Sequence, residues 1–195
     1  DEPTGLDRLA ESLALSHAMG GATWLMAGPE VSARLYHRAL VAGIEVEHVR
    51  RMIRSRGIAA PDPATAPPAW PWPVRVHTLG RFEILLDDQP LRSTGKPQRK
   101  PLELLMCLCA FGGQAINQDR VTDALWPDAQ GDAADQALRT TLHRLRRLLS
   151  HEHAVRLENR RLDLDPQVVW VDCLAFDRLA MGHSSTDRDA LRRAL

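Results

Sequence analysis

KPLELLMCLCAFGGQAINQDRVTDALWPDAQGDAADQALRTTLHRLRRLLSHEHAVRLENRRLDLDPQVVWVD, residues 100 to 172, decides the fold. Leu138, Leu142, Leu145 and Leu149 recur at steps of three or four, so residues 132 to 149 read as an amphipathic helix with a core-facing stripe. Asp132, with Asp135 three positions on, reads as the cap that opens it and suits the positive helix end. At 100° per residue the opposite side carries Gln136, Thr140, His143 and Arg147, flanked by Arg139 and Arg144. Arginine can read guanine bidentately and glutamine can read adenine, so this face is a candidate surface for base edges and phosphates.

Working outward, Gln118 to Leu125 forms a shorter helix capped by Asn117, with Val121, Ala124 and Leu125 inward. It stops at Trp126-Pro127, because proline disfavours helical geometry in the residue before it. A polar link, Asp128 to Gly131, leads into the arginine-rich helix. Two amphipathic helices so joined follow the helix-turn-helix pattern, and a hairpin over 155 to 164 supplies a wing. Pro101 to Phe111 is apolar almost all round and ends at Gly112-Gly113, as a central support helix does.

Residues 74 to 172 resemble the effector domain of the OmpR/PhoB class of bacterial transcription regulators, most nearly the subset in SARP-type activators and large MalT-like ATP-dependent regulators. The resemblance is carried by Leu79-Gly80-Arg81-Phe82, Arg99-Lys100-Pro101, Gly112-Gly113 and Ala124-Leu125-Trp126-Pro127-Asp128. It continues in Leu142-His143-Arg144-Leu145-Arg146-Arg147-Leu148-Leu149 and in Trp170-Val171-Asp172 before Phe176. It implies an α+β winged helix-turn-helix with a small N-terminal sheet, with helix 132–149 in the major groove and wing 155–164 near the minor groove. The implied partners are double-stranded DNA and RNA polymerase, or a second copy on repeated half-sites; the implied location is the cytoplasm, on the nucleoid. Many relatives close the wing with a Gly-x-Gly-Tyr-like element, whereas this chain has Glu158-Asn159-Arg160-Arg161-Leu162. Asn159 suits a tight turn, and Arg160 and Arg161 suit phosphate or a narrow minor groove.

Composition gives a neutral protein with a local basic footprint. The 195 residues are 44% hydrophobic with zero formal net charge, enough for one large or two small domains. From Gln136 to Arg161 the chain carries seven arginines (139, 144, 146, 147, 156, 160 and 161) against Glu152 and Glu158. Asp119, Asp123, Asp128, Asp132 and Asp135 lie just upstream and would limit indiscriminate polyanion binding. Three cysteines provide no paired framework, which favours a reducing compartment. No uninterrupted apolar stretch approaches membrane-spanning length, and the first residues lack the basic and apolar regions of a signal peptide.

The chain divides at Pro61 to Pro73, where six prolines favour an extended, stiff connector, with Trp70 and Trp72 docking it on a domain surface. Upstream, three helices are expected: Leu6 to Met19; Pro29 to Ala42 with Val31, Leu35 and Leu40 inward; and Glu45 to Ser55, ending near Gly57. Residues 1 to 60 thus resemble the end of a helical-repeat array, and the resemblance to MalT-like regulators, where such a segment joins a sensor or ATPase portion to the DNA-binding domain, implies that the chain is the C-terminal piece of a larger regulator. After the connector the period changes to two: Val74-His77 and Phe82-Leu86 read as strands, with a turn at Asp87 to Pro90. Residues 173 to 195 read as a helical extension, Asp172 capping a helix with Leu174, Phe176 and Leu179, and Thr186 with Asp189 capping a last one.

Enzymatic chemistry finds no support. Cys107 and Cys109 are two apart on an apolar helix and read as core residues, and His151 and His153 have no partners at zinc-ligand spacing. There is no phosphate-loop, Gly-x-Gly-x-x-Gly or Gly-x-Ser-x-Gly pattern, so no cofactor or metal is expected. The competing reading is a protein-interaction module whose basic helix docks an acidic protein partner.

Overall fold

The computed structural model describes residues 2–20, 28–92, 98–129 and 131–182. The chain is α+β and splits into two compact units, residues 1–71 and 72–195, with the boundary inside the proline-rich stretch. That stretch is not uniformly extended. The Asp62 carboxylate accepts the Ala64 N–H and the Thr65 hydroxyl, making a local turn, and the Trp70 N–H bonds the Pro67 carbonyl. Short aspartate side chains compete for nearby backbone donors and so fold a segment that prolines alone would leave straight. Trp70 and Trp72 are both buried.

The first unit holds α1 (Glu2–Ala18), α2 (Pro29–Val41) and α3 (Val46–Arg56). Leu9 and Leu13 of α1, Tyr36 and Leu40 of α2, and Val49 and Ile53 of α3 are buried. Val31 is exposed, contrary to its expected inward position. The buried face of α2 is instead set by Ser32, Ala33, Tyr36, Ala39 and Leu40, a stripe rotated by one residue around Tyr36. Gly57 ends α3 at φ 58°.

The second unit opens with β1 (Val74–His77), β2 (Glu83–Leu86) and β3 (Gln89–Pro90). The expected four-residue turn shrinks to Asp87 and Asp88, both at positive φ, because a two-residue turn of that hand matches strand twist and lets Leu86 pair with Gln89. Next come α4 (Arg99–Ala110), β4 (Ile116–Asn117), α5 (Gln118–Leu125) and α6 (Asp132–Leu148). A 3-10 turn at Glu152–Ala154 leads to β5 (Val155–Glu158), β6 (Arg161–Leu164), β7 (Val169–Val171) and α7 (Asp172–Gly182). The expected Thr186 to Leu195 helix lies outside the described residues.

The strands form two sheets, in orders β3-β2-β1-β7 and β4-β6-β5. Strand β7 runs parallel to β1, pairing Val74 with Val169 and Val76 with Val171, so the end of the unit closes the sheet with which it begins. Helix α4 packs on both α5 and α6. Leu104, Leu105 and Leu108 of α4 meet Leu138, Leu142, Leu145 and Leu149, all buried. Each such side chain contributes roughly 1.5–3 kcal/mol relative to exposure. After α4, Gly113 has φ 75°, which glycine adopts freely, and a Cβ there would fall 2.7 Å from Leu174 Cδ1, so a larger residue would strain the backbone and displace that α7 side chain. Among the described residues no helix is long and apolar enough to cross a membrane.

Candidate nucleic-acid interface

Helix α6 presents two chemically opposite faces. Ala134, Leu138, Thr141, Leu142 and Leu145 are buried, whereas Gln136, Arg139, Thr140, His143, Arg144 and Arg147 are all exposed. All six polar residues expected on the outward face therefore lie outside the core. Arg146, in the same basic run, does something different: its Nε and Nη2 donate to the Val155 carbonyl at 2.9 and 2.7 Å, fastening the end of α6 to the start of the hairpin. Only the exposed members of the run are free to meet a ligand.

The start of α6 differs from expectation. Gly131, at φ 52°, is the N-cap and makes no side-chain bond, while Asp132 is already helical. Asp135 is turned outward from any capping role: Oδ1 accepts Gln118 Nε2 at 2.6 Å, and Oδ2 lies 3.5 Å from Arg160 Nη1. Both carboxylates still sit in the first turn, where the positive helix end favours them. Helix α5 matches its expected cap: the Asn117 side chain accepts the Asp119 N–H at 2.7 Å. Ala124, expected inward, is exposed, and the buried face of α5 is Gln118, Val121 and Thr122. The Thr122 hydroxyl can be buried because it bonds the Asp119 carbonyl at 2.9 Å.

Trp126 closes α5 at the Leu-Trp-Pro-Asp stop. Lys100 Nζ donates to the Leu125 carbonyl at 3.0 Å and stands 5.6 Å from the Trp126 ring, joining the start of α4 to the end of α5. This explains locally why a lysine sits in the first turn of the support helix. On the other side, Arg120 lies 3.9 Å from the centre of the Phe111 ring.

The β5–β6 hairpin turns through Asn159 and Arg160, both at positive φ. Arg161 is exposed on β6. Arg160 is exposed too, but its guanidinium is bonded to Asp119 and faces Asp135, and its carbonyl accepts the Gln118 N–H at 2.9 Å. The hydrogen bond it donates to Asp119, with the charge of both carboxylates, holds this guanidinium above its ordinary pKa. The hairpin tip is thereby tied to the starts of α5 and α6. Sequence reading placed both arginines at the tip and missed the acidic clamp, because Asp119 and Asp135 lie 41 and 25 positions away.

One further feature was not legible from sequence. Arg92, Arg99 and Lys100 gather with Arg144 and Arg147 around one cleft. Cys109, by contrast, is core: burial pushes its thiol up to about 12, which removes it as a nucleophile at neutral pH. No protein-family model matches the chain, and no curated protein matches it. The class that fold and site define is an α+β protein with a cationic, solvent-facing helix.

Proposed function

We propose that this chain binds double-stranded DNA sequence-specifically as a bacterial transcription regulator of the winged helix-turn-helix kind, α6 being its recognition helix and the 155–164 hairpin its wing. The observation that carries the reading is the division of α6: Gln136, Arg139, Thr140, His143, Arg144 and Arg147 are exposed together while the leucine stripe is buried. A helix of this kind fits the major groove, which admits one α-helix and displays a distinct donor and acceptor pattern for each base pair. Support also comes from the element order, in which α4 underlies α5 and α6 and a hairpin follows α6. That order is the one the resemblance to the OmpR/PhoB class calls for.

In this reading Arg139 and Arg144 meet guanine or phosphate, Gln136 meets adenine, and Thr140, His143 and Arg147 complete the contact. Arg161 supplies the wing's phosphate contact. One such domain offers few base contacts, so two copies occupy repeated half-sites about one helical turn apart, with RNA polymerase as the downstream partner in the cytoplasm.

The test is titration of the full chain against random and selected duplexes across salt concentrations. Weak sequence-independent binding at low salt, falling steeply as salt rises, with tighter binding to sequences selected from a random library, is the expected result. Absence of duplex binding at low salt, together with capture of an acidic protein by α6, would replace this reading with the protein-interaction one.

A further inference from the structure

A cleft of about 790 Å³ opens beside the C-terminal half of α6, where the edge of the first sheet meets the start of α4. Its walls carry Arg92, Arg99, Lys100, Arg144 and Arg147. Among the described residues no carboxylate and no aromatic ring lines it. Glu103, just behind, bonds Arg99 at 2.8 Å and Lys100 at 3.0 Å, so five cations stand against a single carboxylate. Like charges brought together this way repel one another. Lys100 is accounted for by its bond to the Leu125 carbonyl and its place beside Trp126, but Arg99 stands with it in a first turn of α4 that holds no acid, and cations at a helix's positive end are unfavourable.

We infer that this cleft is a second contact for duplex DNA, holding the sugar-phosphate backbone that flanks the groove occupied by α6, with Arg92 and Arg99 as phosphate ligands not otherwise assigned. The inference rests on the reading of α6 as the recognition helix and extends it. Three features point to a backbone. First, Gln98 and Ser150 supply neutral polar groups beside the cations, and phosphate oxygens take both kinds of partner. Second, a free nucleotide is commonly held by an aromatic ring against its base and a carboxylate against its ribose, and the lining offers neither. Third, Arg144 and Arg147 belong both to the exposed face of α6 and to the cleft wall. A duplex seated on Gln136, Thr140 and His143 therefore leads its backbone onto Arg92 and Arg99.

The experiment compares the full chain with its Arg92→Ala/Arg99→Ala double variant. Arg99 projects into solvent, with its side chain 87% exposed, and Arg92 is exposed, so the variant keeps the core; circular dichroism and thermal melting check that. Binding to a random duplex and to a selected one is followed across salt concentrations. Each lost phosphate contact flattens the log-log slope by about 0.9, and because Arg99 is already bonded to Glu103 its share is smaller, so the double variant is expected to lose about one unit on both duplexes and keep the same base preference. An unchanged slope, in a protein that still binds and discriminates duplexes, overturns the cleft while leaving the reading of α6 intact. If the wild-type chain binds no duplex at low salt, both fall together. Calorimetry with inorganic tripolyphosphate supplies the other arm: tight binding lost in the double variant, with the duplex slope unchanged, would make the cleft a small-anion site and overturn the inference.

Discussion

The carboxylate of Asp172 accepts both the backbone N–H and the hydroxyl of Thr78, 94 residues earlier, at 2.8 and 2.7 Å. It also takes the N–H of Leu79 at 3.0 Å and of Cys173 at 2.7 Å. One side chain thus locks the exit of β1 to the junction of β7 and α7. Asp172, expected to cap α7, is instead the first residue of that helix, and its side chain works mainly across the sheet. Burial opposes ionisation, yet the Thr78 hydroxyl and the Leu79, Thr78 and Cys173 N–H groups outweigh it and hold the carboxyl below its ordinary value. Replacing Asp172 with alanine strands these donors and should cost about 1–3 kcal/mol in denaturant unfolding. Because the folded pKa is depressed, the contribution is complete above the unfolded value of about 3.9 and is lost as pH falls through the lower folded one. The gap between wild type and variant should narrow at about pH 3; an equal gap there and at neutrality would refute the account.

Neighbouring residues on α6 should respond in opposite ways. Arg144 is exposed and Leu145 fully buried. Arg144→Ala is expected to weaken binding to a selected duplex by about 1–3 kcal/mol and leave the melting temperature nearly unchanged. Leu145→Ala should destabilise the unit by roughly 2–5 kcal/mol. Operator affinity unaltered by Arg144→Ala, measured by fluorescence anisotropy, would mean that this face does not meet DNA.

Local periodicity made α3, α4, α5 and α6 legible, because each has a buried stripe that recurs at helical spacing. The strand pair Val74–His77 and Glu83–Leu86 was legible for the same reason at period two. What sequence did not show depends on distant partners. The parallel pairing of β7 with β1 joins Val169 to Val74, and nothing in either segment names the other. Ala124 and Val31 were misplaced because a single apolar residue at the border of a stripe can fall on either side, and the packing of Thr122 and Tyr36 decided which. Gly131 displaced Asp132 as the α6 cap because the backbone there takes a positive φ that glycine adopts freely. The outward face of α6 was readable residue by residue; the Arg92 and Arg99 cleft was not, since its cations come from α4, α6 and the segment after β3.

The clamp on Arg160 separates the two arginines of the hairpin tip. Because Arg160 is already engaged by Asp119 and Asp135, Arg160→Ala should change the salt dependence of duplex binding by less than about half a unit of log-log slope. Arg161→Ala should flatten it by about one. Asp119→Asn, which weakens the clamp, should steepen the slope by up to about one unit and raise affinity for random duplex. Equal effects of the two arginine variants would show that the clamp opens on DNA.

In the first unit, pH should act through a histidine stack. The rings of His17 and His48 lie 4.6 Å apart at 13°, and His48 is buried with Nε2 3.2 Å from the Ser16 hydroxyl. Arg51 Nη2 lies 3.0 Å from His17 Nε2, and His17 Nδ1 lies 2.8 Å from Glu45 Oε2. Burial above all, then the neighbouring His17 and Arg51, lowers the pKa of His48 below 6.5, with Glu45 acting weakly the other way. The unfolded unit therefore takes up a proton as pH falls through about 6.5 while the folded unit resists. Stability is complete above that pH and declines below it, until the lowered folded value is passed. Hydrogen exchange at Val49, whose N–H bonds the Glu45 carbonyl at 2.9 Å, reports this unit separately from the second. Corrected for intrinsic rates, its opening free energy should fall between about pH 7.5 and 5.5 in the wild type and much less in His48→Gln, which keeps a partner for Ser16 but cannot be protonated. The same pH dependence in both proteins would assign the effect to other groups.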